Sequence, residues 1–159
     1  VILDLVSPLE VGISVRDMDT MSRFYRERLG LRHISTLEVS PQLGEDSTFS
    51  SAGYRIMRLQ LRTGERLKLV EAGRAPIGDA ASGEVLDRQG IAFLTFIVAD
   101  LRSLVDRLLE AGVEVSTGRE LVEIRDGVFV AFALDPEGNR LELVEYADLG
   151  SYRSDLPSS

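Results

Sequence analysis

The sequence predicts an α+β fold: two βαβββ modules whose strands form a curved mixed sheet, a cup, with the helices on its outer face. Three observations predict it. One strand is written twice, as Arg66-Leu-Lys-Leu-Val-Glu71 and Arg140-Leu-Glu-Leu-Val-Glu145, differing only at Lys68 against Glu142. A Val-x-Asp landmark recurs, as Val15-Arg16-Asp17 and Val98-Ala99-Asp100, each time ahead of a helical pattern. A glycine then stops each helix, Gly30 in the first half and Gly112 in the second. Two copies make modules of one fold, since a solenoid needs about three repeats or more.

The elements follow in order. Residues 1–8 are a lead-in to the first module, 9–71. Val11, Ile13 and Val15 alternate with Gly12 and Ser14, the signature of a half-buried strand. Asp17 caps a helix that runs to Leu29, with Met21, Phe24, Tyr25 and Arg28 at helical spacing. Strands are expected at about 31–38 and 54–62, separated by a polar loop with Pro41, Gly44 and Gly53. Thr63-Gly64-Glu65 turns into the strand 66–71. Residues 72–89, with Gly73, Pro76, Gly78 and Gly83, read as a linker with a helical turn around 83–88. The second module, 90–146, restarts with a strand over 91–98. Asp100 caps a helix with Leu101, Leu104, Val105, Leu108 and Leu109 on one face. Val113–Ser116 begins the next strand, Gly127–Leu134 is a strongly apolar strand, and Asp135-Pro-Glu-Gly-Asn139 turns into the last one. The tail, 147–159, reads as polar and frayed.

Composition bounds the function classes. The chain has 159 residues, 44% hydrophobic and 28% charged, which suits a single soluble globular domain. It has no cysteine, so disulfides, zinc–thiolate sites and cysteine nucleophiles are excluded. A formal charge of −8 speaks against nucleic acid and anionic membranes as partners. No apolar run approaches the roughly 20 residues of a membrane helix, and no secretory signal is visible, so a cytoplasmic location is expected. There is no glycine-rich phosphate loop. The single histidine, His33, beside Arg32, reads as a strand-end residue and leaves no Ser-His-Asp triad to build.

Specific residues carry a family resemblance over roughly 9–145. Val11-Gly-Ile-Ser-Val-Arg-Asp17, Phe24-Tyr25 and Leu29-Gly-Leu31 resemble the opening of a vicinal oxygen chelate module. Asp135-Pro-Glu-Gly-Asn139 with Leu141-Glu-Leu-Val144 resembles the closing signature of the second module. This superfamily includes glyoxalase I, methylmalonyl-CoA epimerase, extradiol dioxygenases and the bleomycin- and fosfomycin-resistance proteins. One fold hosts many chemistries, so the resemblance implies the fold more strongly than a reaction.

The resemblance also implies where a metal would be held: His, Glu or Gln on the first and last strands of each module. The matching positions here are Glu10, Lys68, Phe93 and Glu142. Phe93 has no donor atom, and a protonated lysine repels a cation. No cofactor is therefore expected; the alternative is a divalent ion (magnesium, manganese, nickel or zinc) held by Glu10 and Glu142. The expectation is a Lys68–Glu10–Glu142 cluster replacing the metal, its two acids compensating the ammonium; otherwise Lys68 extends to solvent.

Strand parity fills in the walls. Tyr54, Ile56, Arg58 and Gln60 would share a face with Lys68, together with Gly12 and Ser14. Val128, Val130, Phe132 and Leu134, with Phe93, Thr95 and Ile97, would line the equivalent face of the second module, unless they are simply core. The polar wall suits an anionic or carbonyl end near Arg58, and the other suits an apolar or ring end near Phe93 and Phe132. The reading is a small-molecule protein that binds, sequesters or transforms an amphipathic metabolite or antibiotic. Its alternative is a lyase or isomerase of glyoxalase or epimerase type, with Glu142 as general base or with Glu10 on a metal. Catalytic candidates are Glu142, Lys68 and Glu10, with Lys68 also considered as a base or nucleophile. Ligand-binding candidates are Arg58, Gln60, Ser14, Phe93, Thr95 and Phe132. A homodimer is expected from the family.

Overall fold

Each half of the chain builds a four-stranded mixed sheet with one main helix on one face. The computed structural model describes residues 7–47, 50–74, 76, 78 and 90–155. The chain divides into two compact units, 1–79 and 80–159.

In the first unit the elements are β1 (Glu10–Val15), α1 (Met18–Glu27), β2 (Arg32–Val39), α2 (Pro41–Asp46), β3 (Tyr54–Gln60) and β4 (Arg66–Ala72). The sheet order is β1-β4-β3-β2, with β1 parallel to β4 and the other pairs antiparallel. Asp17 caps α1 by accepting from the Thr20 amide at 2.9 Å, which satisfies one of the orphan donors of the first turn. The helix stops in a left-handed turn at Gly30, where the Leu31 amide reaches back to the Tyr25 carbonyl. Its buried side chains, Met18, Met21, Phe24 and Tyr25, recur at helical spacing. They pack toward β3 and β4, whose Leu59, Leu67 and Leu69 are also buried. The opposite face of this sheet has no helix of its own unit packed against it among the described residues.

The second unit repeats the plan with β5 (Leu94–Ile97), α3 (Leu101–Glu110), β6 (Val122–Arg125), β7 (Val128–Leu134), β8 (Arg140–Tyr146) and α4 (Leu149–Tyr152). Its sheet order is β5-β8-β7-β6, again with one parallel pair, β5 and β8. Asp100 caps α3 through the Ser103 amide, and the Val113 amide returns to the Leu108 carbonyl beside Gly112. Leu101, Leu104, Val105 and Leu108 are buried, as are Leu141 and Leu143 of β8. Alanines at 131 and 133 on β7 share that face in register with Leu143 and Leu141, leaving room for the helix.

The twin strands hold their helices the same way. Glu71 Oε1 accepts from the Met18 amide at 3.0 Å, and Glu145 Oε2 accepts from the Leu101 amide at 2.7 Å. In both modules the final glutamate of the repeated hexapeptide thus satisfies the first amide of the helix on its sheet.

The structure departs from the expected elements in five places. The strand expected over 91–98 narrows to β5. The strand expected at Val113–Ser116 is a single bridge, Val115 to Ala133. The strand that pairs along β7 is instead β6, a four-residue edge strand exposed throughout, whose register shifts between Glu123 and Arg125. The loop around Pro41 contains α2, with Ser40 as its cap and Pro41 at the first helical position. The tail folds as well: Asp148 caps α4, and Tyr152 stacks on Tyr146 with ring centroids 4.1 Å apart. The helical turn expected around 83–88 lies outside the described residues.

Candidate functional site

The register of the first sheet sorts its helix-free face into rows. In the first row Glu10, Arg66, Gln60 and Arg32 are aligned across β1, β4, β3 and β2; in the second, Gly12, Lys68, Arg58 and Ser35. The third row is mostly apolar, with Val70, Ile56 and Leu37 beyond Ser14. Four cations and one acid therefore occupy two adjacent rows, in a chain whose formal charge is −8.

Glu10 is the counter-charge. One of its carboxylate oxygens lies 3.3 Å from Lys68 Nζ and the other 3.3 Å from Arg66 Nη1. The Lys68 hydrogen bond holds the Glu10 carboxyl below its usual range; partial desolvation opposes this, and the charges of Lys68 and Arg66 add to it. About a third of the Lys68 side chain remains exposed, so the ammonium is paired without being sealed off. Arg66 Nε also donates to Gln60 Oε1 at 3.1 Å. Arg58 donates to a neutral partner, Ser35 Oγ, at 3.3 Å. At Gly12, beside Lys68 in register, an added Cβ would meet nothing within 4 Å.

The second sheet presents different chemistry. Thr95, Glu142 and Phe132 are in register across β5, β8 and β7. Thr95 Oγ1 donates to Glu142 Oε2 at 2.7 Å, and the Phe93 and Phe132 rings meet edge to face at 6.1 Å. Further along the same face Val128, Val130 and Val144 form a buried apolar cluster with Tyr146 packed against it. There the wall expected from parity is core. Asp135, in the turn of the closing signature, is buried and accepts from the amides of Glu137 and Asn139 and from Asn139 Nδ2. That motif shapes a turn between β7 and β8.

Of the residues singled out from the sequence, Glu10, Lys68, Arg58 and Gln60 come together on the first sheet, with Ser14 one row beyond. Thr95, Glu142, Phe93 and Phe132 come together on the second. Glu142 belongs to the second unit, and its hydrogen-bond partner there is Thr95. Among the described residues no three His, Cys, Asp or Glu side chains gather as a metal site. His33 is exposed and its Nε2 lies 2.9 Å from Thr36 Oγ1. Arg66, Arg32 and Ser35 were missed by sequence reasoning. Arg66 was legible, since it shares parity with Lys68; Arg32 and Ser35 were not, because the register of β2 shifts between them.

The comparisons with known proteins agree on the architecture. A family model described as Glyoxalase/Bleomycin resistance protein/Dioxygenase superfamily matches residues 7–143. Among solved structures, a glyoxalase family protein from Bacillus cereus is 24% identical, with a TM-score of 0.76 over 91% of this chain and 96% of that one. A glyoxylase/bleomycin resistance protein/dioxygenase domain from Frankia sp. is 20% identical, with a TM-score of 0.69 over 91% of this chain and 95% of that one. A glyoxalase I mutant from Zea mays is 20% identical, with a TM-score of 0.65 over 87% of this chain and 44% of that one. At these identities the likeness is one of fold. No curated protein was found to match the chain.

Proposed function

We propose a function from one premise: the chain belongs to the Glyoxalase/Bleomycin resistance protein/Dioxygenase superfamily. On that fold it binds and sequesters a small amphipathic molecule, without a divalent metal, on a strand face turned away from α1 or α3. The observation that carries this reading is the Lys68–Glu10 ion pair, at two positions where the family resemblance would put metal ligands. A divalent cation there would face the Lys68 ammonium and compete for a carboxylate already shared with Arg66. Phe93, at a third such position, packs against Phe132 and offers no donor. The donor set fits a paired lysine better than it fits magnesium, manganese, nickel or zinc. In this proposal the ligand-binding candidates are Arg58, Gln60 and Ser14 on the first sheet, and Phe93, Thr95 and Phe132, beside Glu142, on the second.

Metal analysis of the purified protein, paired with ligand binding before and after chelation, tests the reading. Binding unchanged by chelation and weakened by Lys68→Met is expected. Stoichiometric metal whose removal abolishes binding, and whose return restores turnover, would sink it. A second reading is favoured by one feature: Glu142 has one oxygen held by Thr95 and no other hydrogen-bond partner among the described residues. Such a carboxylate suits a general base in a lyase or isomerase of glyoxalase or epimerase type. Exchange of a substrate carbon-bound proton with deuterated solvent, abolished by Glu142→Gln, would establish it. The protein is further proposed to be a cytoplasmic homodimer, which sedimentation and fractionation check; no described helix is long and apolar enough to cross a membrane.

A further inference from the structure

We propose that the helix-free face of the first sheet is a site for an apolar monocarboxylate, its carboxylate on Arg58 and Lys68 and its hydrocarbon body on Ile56 and Val70. This rests on the function proposed above in taking that face as a ligand surface, and it names the ligand class.

The unmet electrostatics come first. Arg58 and Lys68 are directly paired across β3 and β4, and like charges in that position repel. The acid on this face, Glu10, is shared between Lys68 and Arg66, and Arg58 donates to a neutral hydroxyl, that of Ser35. A bound oxyanion would turn that repulsion into two charge-assisted hydrogen bonds, with the guanidinium fork matching a carboxylate edge. Space is available, since Gly12 leaves the position next to Lys68 open. Inorganic phosphate would meet the same cations but has no apolar body to place on Ile56 and Val70, so the next row selects a carboxylate that carries a hydrocarbon.

The rest of the ligand follows from the next row. Ile56 and Val70 are in register with each other, two residues along from Arg58 and Lys68, and both are only half-buried. Two residues of strand span about 7 Å. A carboxylate on the cationic row would therefore place a short alkyl chain or a single ring against the apolar one. The sequence suggested a polar wall in one module and an apolar wall in the other; the register shows that the first sheet alone changes from cationic to apolar along its strands.

The test is calorimetric titration of the full chain with hexanoate, acetate, 1-hexanol and inorganic phosphate. Saturable hexanoate binding is expected, with acetate at least about tenfold weaker, since each buried CH2 contributes about a factor of four, and 1-hexanol at least about tenfold weaker, since it lacks the charge-assisted hydrogen bonds. Arg58→Gln should weaken hexanoate about tenfold with the circular dichroism spectrum retained. Glu10→Gln should tighten it about threefold by removing the competing acid. Hexanoate no tighter than acetate, phosphate tighter than hexanoate, no effect of Arg58→Gln, or weakening by Glu10→Gln would each overturn the assignment. Chelation separates this inference from the broader one. If hexanoate binds, is lost on chelation and returns with added metal, the metal-free reading fails; if protein that purifies without metal does not bind hexanoate, with or without added metal, only the carboxylate assignment fails.

Discussion

Truncating the last glutamate of each twin strand is the most direct test of how the modules hold their helices. In Glu145→Ala the Leu101 amide loses its carboxylate partner at 2.7 Å, and α3 loses a negative charge at its positive end. A hydrogen bond to a charged group is worth about 1.5–3 kcal/mol, and Glu145 is half-buried, so the lower part of that range applies. The helix-terminus effect, about 0.3–1 kcal/mol, overlaps with the same contact. We expect a loss of about 2 kcal/mol. Glu145→Gln retains an acceptor oxygen without the charge and should cost about half as much.

Glu71→Ala removes the equivalent bond to the Met18 amide, and also the Arg55 pair, whose Nε and Nη2 lie 2.9 and 2.6 Å from Glu71 Oε2. The Arg55 and Glu71 side chains are 38% and 23% exposed, so that pair adds only about 0–1 kcal/mol after solvent screening. Urea unfolding of the full chain, with amide exchange read separately on α1 and α3, measures both. Protection should fall first on the helix whose glutamate was removed. A cost below about 0.5 kcal/mol for Glu145→Ala, or equal costs for the Ala and Gln variants, would refute the tethering role.

Four further outcomes are expected. Leu69→Ala and Leu143→Ala, each removing a wholly buried side chain, should destabilise their own unit by about 2–5 kcal/mol in urea unfolding. Tyr152→Ala should cost about 0.5–1.5 kcal/mol through the lost stack on Tyr146, and should expose Tyr146 to solvent quenching. Gly12→Val should leave stability unchanged or slightly raised, because the position is open and valine suits a strand, yet it should block hexanoate. The carboxyls of Glu10, Asp17, Asp100 and Asp148 are all held below their usual ranges: Glu10 first by the Lys68 hydrogen bond, and the three caps by Thr20, Ser103 and Ser151. The unfolded chain then binds more protons, so stability is full above the ordinary carboxyl values of 4.5 and 3.8 and falls as pH drops through the lowered ones. Thermal melts between pH 5 and about pH 2 should show that acid limb, and Asp17→Asn with Asp100→Asn should flatten it.

The parts of the fold legible in the sequence are those where pattern and local chemistry coincide. Asp17 and Asp100 announce the helices because a short carboxylate is a favoured cap for first-turn amides, and Gly30 and Gly112 end them because the left-handed turn disfavours a Cβ. The paired leucines of the twin strands name the core face directly. β6 was hidden because Val122-Glu-Ile-Arg125 is an exposed edge strand, whose composition answers to solvent and not to a core. α4 was hidden because what settles it, Tyr152 on Tyr146, is a contact its own short sequence does not encode. At the site, parity placed Lys68 with Arg58 and Gln60, and Thr95 with Glu142 and Phe132. It did not reveal that Val128 and Val130 are core, since a continuous apolar run leaves both faces equally plausible.

The repeated hexapeptide divides its duties by parity. Leu67 and Leu69, like Leu141 and Leu143, face the helix, and Glu71 and Glu145 on the same side fasten that helix. Those positions solve one packing problem twice, which accounts for the identical residues there. The first, third and fifth positions point to the opposite face; arginine and valine are kept there in both copies, and only the third, Lys68 against Glu142, differs. Lys68 pairs with Glu10 beside a row of cations, whereas Glu142 pairs with Thr95 beside two aromatic rings. A change at that position therefore alters the chemistry of that face while leaving the helix and the leucines beneath it untouched. On this argument the exchange Lys68→Glu should preserve the fold of the first unit. It should abolish carboxylate binding, because the one remaining cation in that row, Arg58, would then face an acid where it now faces Lys68.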